Sequence, residues 1–200
     1  MAQQHRKPTA QNAGKAGQIR IIGGQWRGRK LSVLALEGLR PTTDRVKETL
    51  FNWLQFELPN ARVLDAFAGT GSLGLEALSR GASEVVFVEK SPAASKQLNE
   101  NIATLQQGNM PPATDVRTGD IMHNLTQFAG AFDIVFLDPP FHQGLLNDCI
   151  EGLCKGNLVR KGSWVYIESE QSLTVNAPIN WHLHREKNAG QVNYRLYHVA

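Results

Sequence analysis

Cysteine is scarce: the 200 residues include two, Cys149 and Cys154, in a stretch whose pattern predicts a helix. Five-residue spacing does not put them on one helical face, and no second Cys or His pair has zinc-ligand spacing. Neither a disulfide framework nor a bound metal is expected. No run approaches the roughly 18 apolar residues of a membrane span. Residues 1–17 are polar and lack the apolar segment of a signal peptide, so the expected setting is a reducing cytoplasm, with no membrane partner. Asp and Glu are missing altogether from residues 1–36, which carry Arg6, Lys7, Lys15, Arg20, Arg27, Arg29 and Lys30. That is +7 in a chain of net charge +3, so the other 164 residues sum to −4. Such asymmetry points to a polyanion as the partner of the N-terminal part.

At 42% hydrophobic and 20% charged, the chain can bury a full core. Residues 1–17, rich in Gln, Asn, Gly and Ala, predict a disordered tail. Residues 19–22 alternate, meet Gly23-Gly24, and the pattern resumes over 25–33, which predicts a basic β-hairpin. It presents Trp26, Arg27, Arg29 and Lys30; cations neutralise phosphates and an indole can stack on an unpaired base. The alternative is a hairpin packed on its Trp face with its charges in water. Arg40-Pro41-Thr42-Thr43-Asp44 then leads into a helix, with Thr43 or Asp44 as N-cap and Val46, Leu50, Trp53 and Leu54 as its core stripe. Residues 18–58 thus form an N-terminal extension, and Pro59-Asn60 opens a larger domain over 59–200.

In that domain, strand-like runs at 62–66, 84–88, 114–118, 132–137 and 164–168 alternate with helical stretches at 73–80, 92–105, 121–128 and 144–154. This predicts an α/β fold around a mostly parallel sheet covered on both faces. Two more runs, 181–186 and 192–199, flank a short polar turn and must pair antiparallel. The expectation is a seven-stranded, Rossmann-like sheet closed by a C-terminal antiparallel hairpin.

Chemistry gathers at the ends of these strands. Asp65-Ala66-Phe67-Ala68-Gly69-Thr70-Gly71 follows the first strand; Gly69 and Gly71 allow a tight turn whose amides face a ligand. Gly74 completes a spacing that also fits a dinucleotide. Glu89, 20 residues beyond Gly69 and followed by Lys90, sits where an acid can accept both hydroxyls of a ribose. Asp120 could meet an adenine amino group, and is equally a good N-cap. An acid at Asp65 would repel a pyrophosphate but can pair with the amino group of a sulfonium ligand. Asp138-Pro139-Pro140-Phe141 decides for that ligand. Prolines cannot donate hydrogen bonds and fix φ, so the Asp138 carboxylate and Pro139 carbonyl stand as rigid acceptors for the two hydrogens of an exocyclic amine. Phe141 offers a ring on which a base can stack.

These motifs, in this order, resemble the Rossmann-type class I amino-methyltransferases, whose motif is Asn/Asp/Ser-Pro-Pro-aromatic. More narrowly, residues 19–31 (IRIIGGQWRGRKL), 39–54 (LRPTTDRVKETLFNWL), 65–80 (DAFAGTGSLGLEALSR) and 184–197 (HREKNAGQVNYRLY) are similar to the RsmD family of 16S rRNA guanine-N2 methyltransferases. The resemblance implies S-adenosylmethionine as cofactor, held by Asp65, Phe67, Ala68, Gly69, Gly71, Glu89, Lys90 and Asp120. Residues Asp138, Pro139, Pro140 and Phe141 would orient a flipped guanine. Arg20, Trp26, Arg27, Arg29, Lys30, Arg40 and Arg45 would contact RNA, and the partner would be 16S rRNA in an assembled or assembling small ribosomal subunit, met by a monomer. The rivals are a methyltransferase for adenine or protein glutamine, a dinucleotide oxidoreductase, and an RNA-binding module without catalysis.

Overall fold

Short apolar strands cannot bury both faces alone, and the chain covers them in the order that the sequence alternates. In the computed structural model, which describes residues 17–34, 44–107 and 111–200, the units are β3 (Arg62–Asp65), α2 (Ser72–Ser79), β4 (Glu84–Glu89), α3 (Pro92–Leu105), β5 (Ala113–Thr118), α4 (Ile121–Leu125), β6 (Phe132–Leu137), α5 (Leu145–Lys155) and β7 (Val159–Glu170). A hairpin of β8 (Trp181–Ala189) and β9 (Val192–Val199) closes the sheet. Its order is β5-β4-β3-β6-β7-β9-β8, with β9 antiparallel to both neighbours and the other pairings parallel. This is the fold of class I methyltransferases. β7 starts five residues earlier than the pattern predicts, because a bulge between the Phe132 and Ile134 pairings accommodates Gly162 at φ +90°.

Before the sheet come β1 (Gly17–Arg20), β2 (Lys30–Val33) and α1 (Asp44–Trp53). The tail expected through residue 17 lies outside the described residues, except for Gly17, which opens β1 opposite Val33. Arg40 and the cap candidate Thr43 also lie outside them; Asp44 is the first helical residue rather than a visible cap.

Strand alternation sorts the core onto two faces. Val63, Phe87, Phe136 and Tyr166 face one side, where α2 and α3 pack; Leu64, Val86, Val135 and Leu137 face the other, against α4 and α5. The N-terminal extension belongs to the first face: Ile19, Ile21, Leu31 and Val33, with Leu50, Phe51 and Leu54, share its cluster. Fully burying a side chain of this size stabilises by about 1.5–3 kcal/mol, so the extension is built into the core. Helix α2 consequently has no solvent face; all eight of its residues are buried.

That burial forces polar partners on α2. Glu76, fully buried, accepts from the Ile22 amide (2.8 Å) and from Arg80 Nε (2.7 Å). Lys47, also buried, donates through Nζ to the Arg20 carbonyl at 2.7 Å. Burial lowers the Lys47 pKa, with the Glu76 and Asp44 charges opposing. The second hairpin strand is shorter than the sequence predicts, since residues 21–29 turn to dock on the end of α2. There the Gln25 amide donates to the Ser79 carbonyl (2.7 Å), the Trp26 amide to Ser79 Oγ (2.9 Å), and Ser79 Oγ to the Gly23 carbonyl (2.6 Å). These bonds satisfy groups that a helix C-terminus leaves open. Gly24 is required at φ +73°, because a Cβ would lie 1.8 Å from the Ser79 oxygen. Among the described residues no helix is long and apolar enough to cross a membrane. The thiols of Cys149 and Cys154 are free, and burial pushes Cys149 up to about 12.

Candidate active site

β3 and β6 are neighbours from which the chain departs in opposite directions, the kind of switch point where open α/β sheets bind ligands. A cavity of about 990 Å³ opens there, at the carboxyl ends of β3, β4, β6 and β7. Small-molecule sites run roughly 300–1,000 Å³, so this one has room for a nucleoside-sized cofactor and a second ring beside it.

One side of the cavity is the turn from β3 into α2. Gly69 (φ +53°) and Gly71 (φ +77°) hold it in the left-handed region, and a Cβ on Gly71 would meet Leu98 at 2.3 Å. Asp65, 2% exposed, accepts the Gly74 amide at 2.9 Å and so ties strand end to helix start. Burial pushes its pKa up to about 7; the Gly74 bond opposes the rise, and the Asp138 and Glu89 charges add to it. Glu89 ends β4 and accepts the Gly69 amide at 2.8 Å and the Ser91 amide at 2.7 Å. A carboxylate offers about four acceptor positions, so these two bonds orient it and leave capacity for ribose hydroxyls. Asp120 caps α4 by accepting the Met122 amide (2.9 Å), and its other oxygen lies 3.4 Å from Lys90 Nζ. Phe67 and Ala68 line the same wall.

The opposite side begins where β6 ends. Asp138, Pro139, Pro140 and Phe141 all line the cavity; Pro139 is buried, Asp138 and Phe141 are half-buried, and Pro140 is exposed. The chain then turns through His142 (φ +62°), whose amide donates to Glu170 (3.2 Å), and Gly144 (φ +71°) into α5.

Sequence reasoning missed further lining residues. Glu168 on β7 and Tyr194 on β9 face the cavity, and Gly17, Val33, Leu34 and Val46 bring the N-terminal extension to its rim. Glu168 ends an apolar run just as Glu89 does, so a signal existed; Tyr194 and the rim depend on tertiary packing. Among the lining side chains, five are carboxylic acids (Asp65, Glu89, Asp120, Asp138, Glu168) and one is basic (Lys90). That balance repels a pyrophosphate and suits a cationic ligand, which disfavours the dinucleotide alternative.

The basic residues lie elsewhere. Arg27, Arg29, Lys30 and Arg45 are exposed. Arg29 donates to the Thr104 carbonyl (3.3 Å), and Arg20 pairs with Asp44 at 3.0 Å. Trp26 is half-buried against the core, the packed alternative for the hairpin, so its indole is not held out for a base. The tip at residues 25–29 docks on the end of α2 remote from the glycine turn, about 12 Å along an eight-residue helix.

Comparison with known proteins shows which family has this sequence and fold. The family described as Conserved hypothetical protein 95 matches residues 19–198. Ribosomal RNA small subunit methyltransferase D of Escherichia coli K12 is 51% identical over 187 residues, 93% of this chain and 92% of the relative. The Haemophilus influenzae protein of that name is 46% identical, over 90% of this chain and 94% of its own. The solved structure of Escherichia coli yhhF superposes with a TM-score of 0.81 at 53% identity, covering 92% of this chain and 98% of that one. With nearly the whole length matched in both directions, the chain belongs to the Conserved hypothetical protein 95 family, the RsmD family of methyltransferases.

Proposed function

We propose that this chain transfers a methyl group from S-adenosylmethionine to the exocyclic N2 amine of a guanine in 16S ribosomal RNA. The observation that carries this reading is that residues 138–141 line the same cavity as Asp65, the glycine turn and Glu89. The donor set fits the cofactor: Asp65 suits its amino group, Gly69 and Gly71 its methionine part, Glu89 the ribose, and Asp120 with Lys90 the adenine edge. Bound there, S-adenosylmethionine supplies an electrophilic methyl carbon.

The chain's own residues do the positioning. The Asp138 carboxylate and the Pro139 carbonyl each accept one hydrogen of the amine, which localises the nitrogen lone pair and aims it into the cavity. Phe141 supports the ring, at about 1–3 kcal/mol per stacked base. Alkylation makes the nitrogen acidic, and Asp138 is the acceptor at hand for the proton it sheds. Orientation of this kind can supply about 7–11 kcal/mol of barrier lowering.

The substrate class is supported by the relatives named ribosomal RNA small subunit methyltransferase D. Arg27, Arg29, Lys30 and Arg45 are the described candidates for RNA contact, with Arg20 if it leaves Asp44. The hairpin tip with Arg27 and Arg29 lies at the end of α2 away from the glycine turn, which suits RNA flanking the target base rather than the base itself. So small a chain suits a monomer acting on a target held by an assembled or assembling small subunit. The test is incubation with methyl-labelled S-adenosylmethionine and small subunits from cells lacking the enzyme, beside naked 16S RNA, followed by nucleoside analysis. Label in N2-methylguanosine is the expected result; label in methyladenosine, or in no RNA, overturns it.

A further inference from the structure

Glu168 is 7% exposed, lines the cavity, and has no part in the mechanism above. Its place follows from strand register. Leu137 and Ile167 are the last pair of the β6–β7 ladder, and continuing the register one step sets Asp138 beside Glu168. Two residues earlier, Phe136 and Tyr166 share one face of the sheet, their ring centroids 6.3 Å apart. Period-two alternation carries Glu168 to that face, and the charges of both Asp138 and Glu168 act on the Tyr166 hydroxyl. Tyr194 stands across from Glu168 on β9. The Tyr166 hydroxyl donates to Glu168 Oε1 at 2.8 Å, which fixes the carboxylate.

We propose that Glu168 is a specificity-determining residue that accepts the N1–H of the target guanine; this rests on the function proposed above. A carboxylate offers about four acceptor positions, so beside their partners in the fold Asp138 and Glu168 suit a ligand with two adjacent donors. Guanine is the one standard base whose amine has an N–H beside it. The adenine amine is flanked by the N1 and N7 lone pairs, and the cytosine amine by the N3 lone pair and a C–H. With an amine seated on Asp138 and the Pro139 carbonyl, adenine would turn a lone pair toward Glu168 in either orientation. An ionised carboxylate only accepts, so that arrangement is repulsive. A site built around a substrate N–H can reject an analogue lacking it by about 10⁴–10⁵-fold.

The experiment compares small-subunit particles whose RNA carries guanine or 2,6-diaminopurine at the methylated position. Diaminopurine keeps the 2-amine and replaces N1–H by a lone pair. The wild-type chain is expected to prefer guanine by more than about 100-fold. Glu168→Gln keeps the shape and an oxygen for Tyr166, while its amide can donate to the diaminopurine N1. It should lose guanine activity by about 10–100-fold and shrink the preference to below about tenfold, with S-adenosylmethionine affinity within about twofold. Tyr166→Phe, which keeps the Glu168 carboxylate and removes one bond that orients it, should lower the preference but keep it above about tenfold. The inference fails if the wild type methylates both bases equally, a result independent of any variant. It fails also if Glu168→Gln retains the full preference, or if Tyr166→Phe abolishes it to the same degree. Absence of methylation on guanine particles by the wild type would overturn the proposed function itself.

Discussion

The two sides of the cavity use the same chemical device, a carboxylate at the end of a strand, with different surroundings. On the β3–β4 side, Asp65 and Glu89 accept backbone amides from Gly74, Gly69 and Ser91. Those acids build the turn that they also line. On the β6–β7 side, the two residues after Asp138 are prolines, which carry no amide hydrogen to donate, and the Tyr166 hydroxyl donates to Glu168 at 2.8 Å. In the proposed function, the first side ties fold and ligand together and the second presents acceptors to a substrate.

The comparison predicts effects of different kinds and sizes. The largest is on the second side: Asp138→Ala should lower single-turnover methylation at saturating cofactor by about 10²–10⁴-fold. Next is Glu89→Ala, which strands two part-buried amides at about 1–3 kcal/mol each. A melting scan should register that as a drop of several degrees, at about 2–4 °C per kcal/mol for a chain of this size; an unchanged melting temperature would remove the building role. Asp65 comes third, through pH. Its folded pKa of about 7 lies above the ordinary carboxylate value, so in the ligand-free chain its stabilising contribution is present below about pH 4 and is lost as pH rises through 7. A cationic ligand needs the ionised form. Cofactor affinity should therefore rise with pH up to about 7, approaching tenfold per unit below it. Asp65→Asn should bind more weakly with a flat profile; a sloping profile in that variant would assign the titration elsewhere. The smallest effect concerns the basic surface of the N-terminal extension: neutralising Arg27, Lys30 and Arg45 together should flatten the salt slope of RNA binding by about 0.7–0.9 for each phosphate that is no longer neutralised. An unchanged slope would move the RNA surface elsewhere.

What could be read in the sequence was what depends on neighbours along the chain. The glycine turn, Glu89 at an apolar strand's end and Asp138-Pro139-Pro140-Phe141 are local patterns, and each lies at the cavity. The sheet was legible for the same reason, since period-two and period-3.6 runs alternate. Features that depend on register or docking were not. Glu168 meets Asp138 only because β6 pairs with β7, and Tyr194 joins them only because the last strand inserts between β7 and β8. Glu76 and Lys47 are both buried because the N-terminal extension covers α2, a docking that no local pattern announces. Trp26 is drawn into the core by the docking of Gly23-Gly24 on Ser79, which no spacing announces.

Calorimetric titration of S-adenosylmethionine into Glu89→Ala and Asp138→Ala separates the labour of the two sides. Affinity should be about 10–100-fold weaker for Glu89→Ala, the worth of hydrogen bonds to a charged group, and within about threefold of wild type for Asp138→Ala. Equal loss in both variants, or loss in Asp138→Ala alone, would contradict that division.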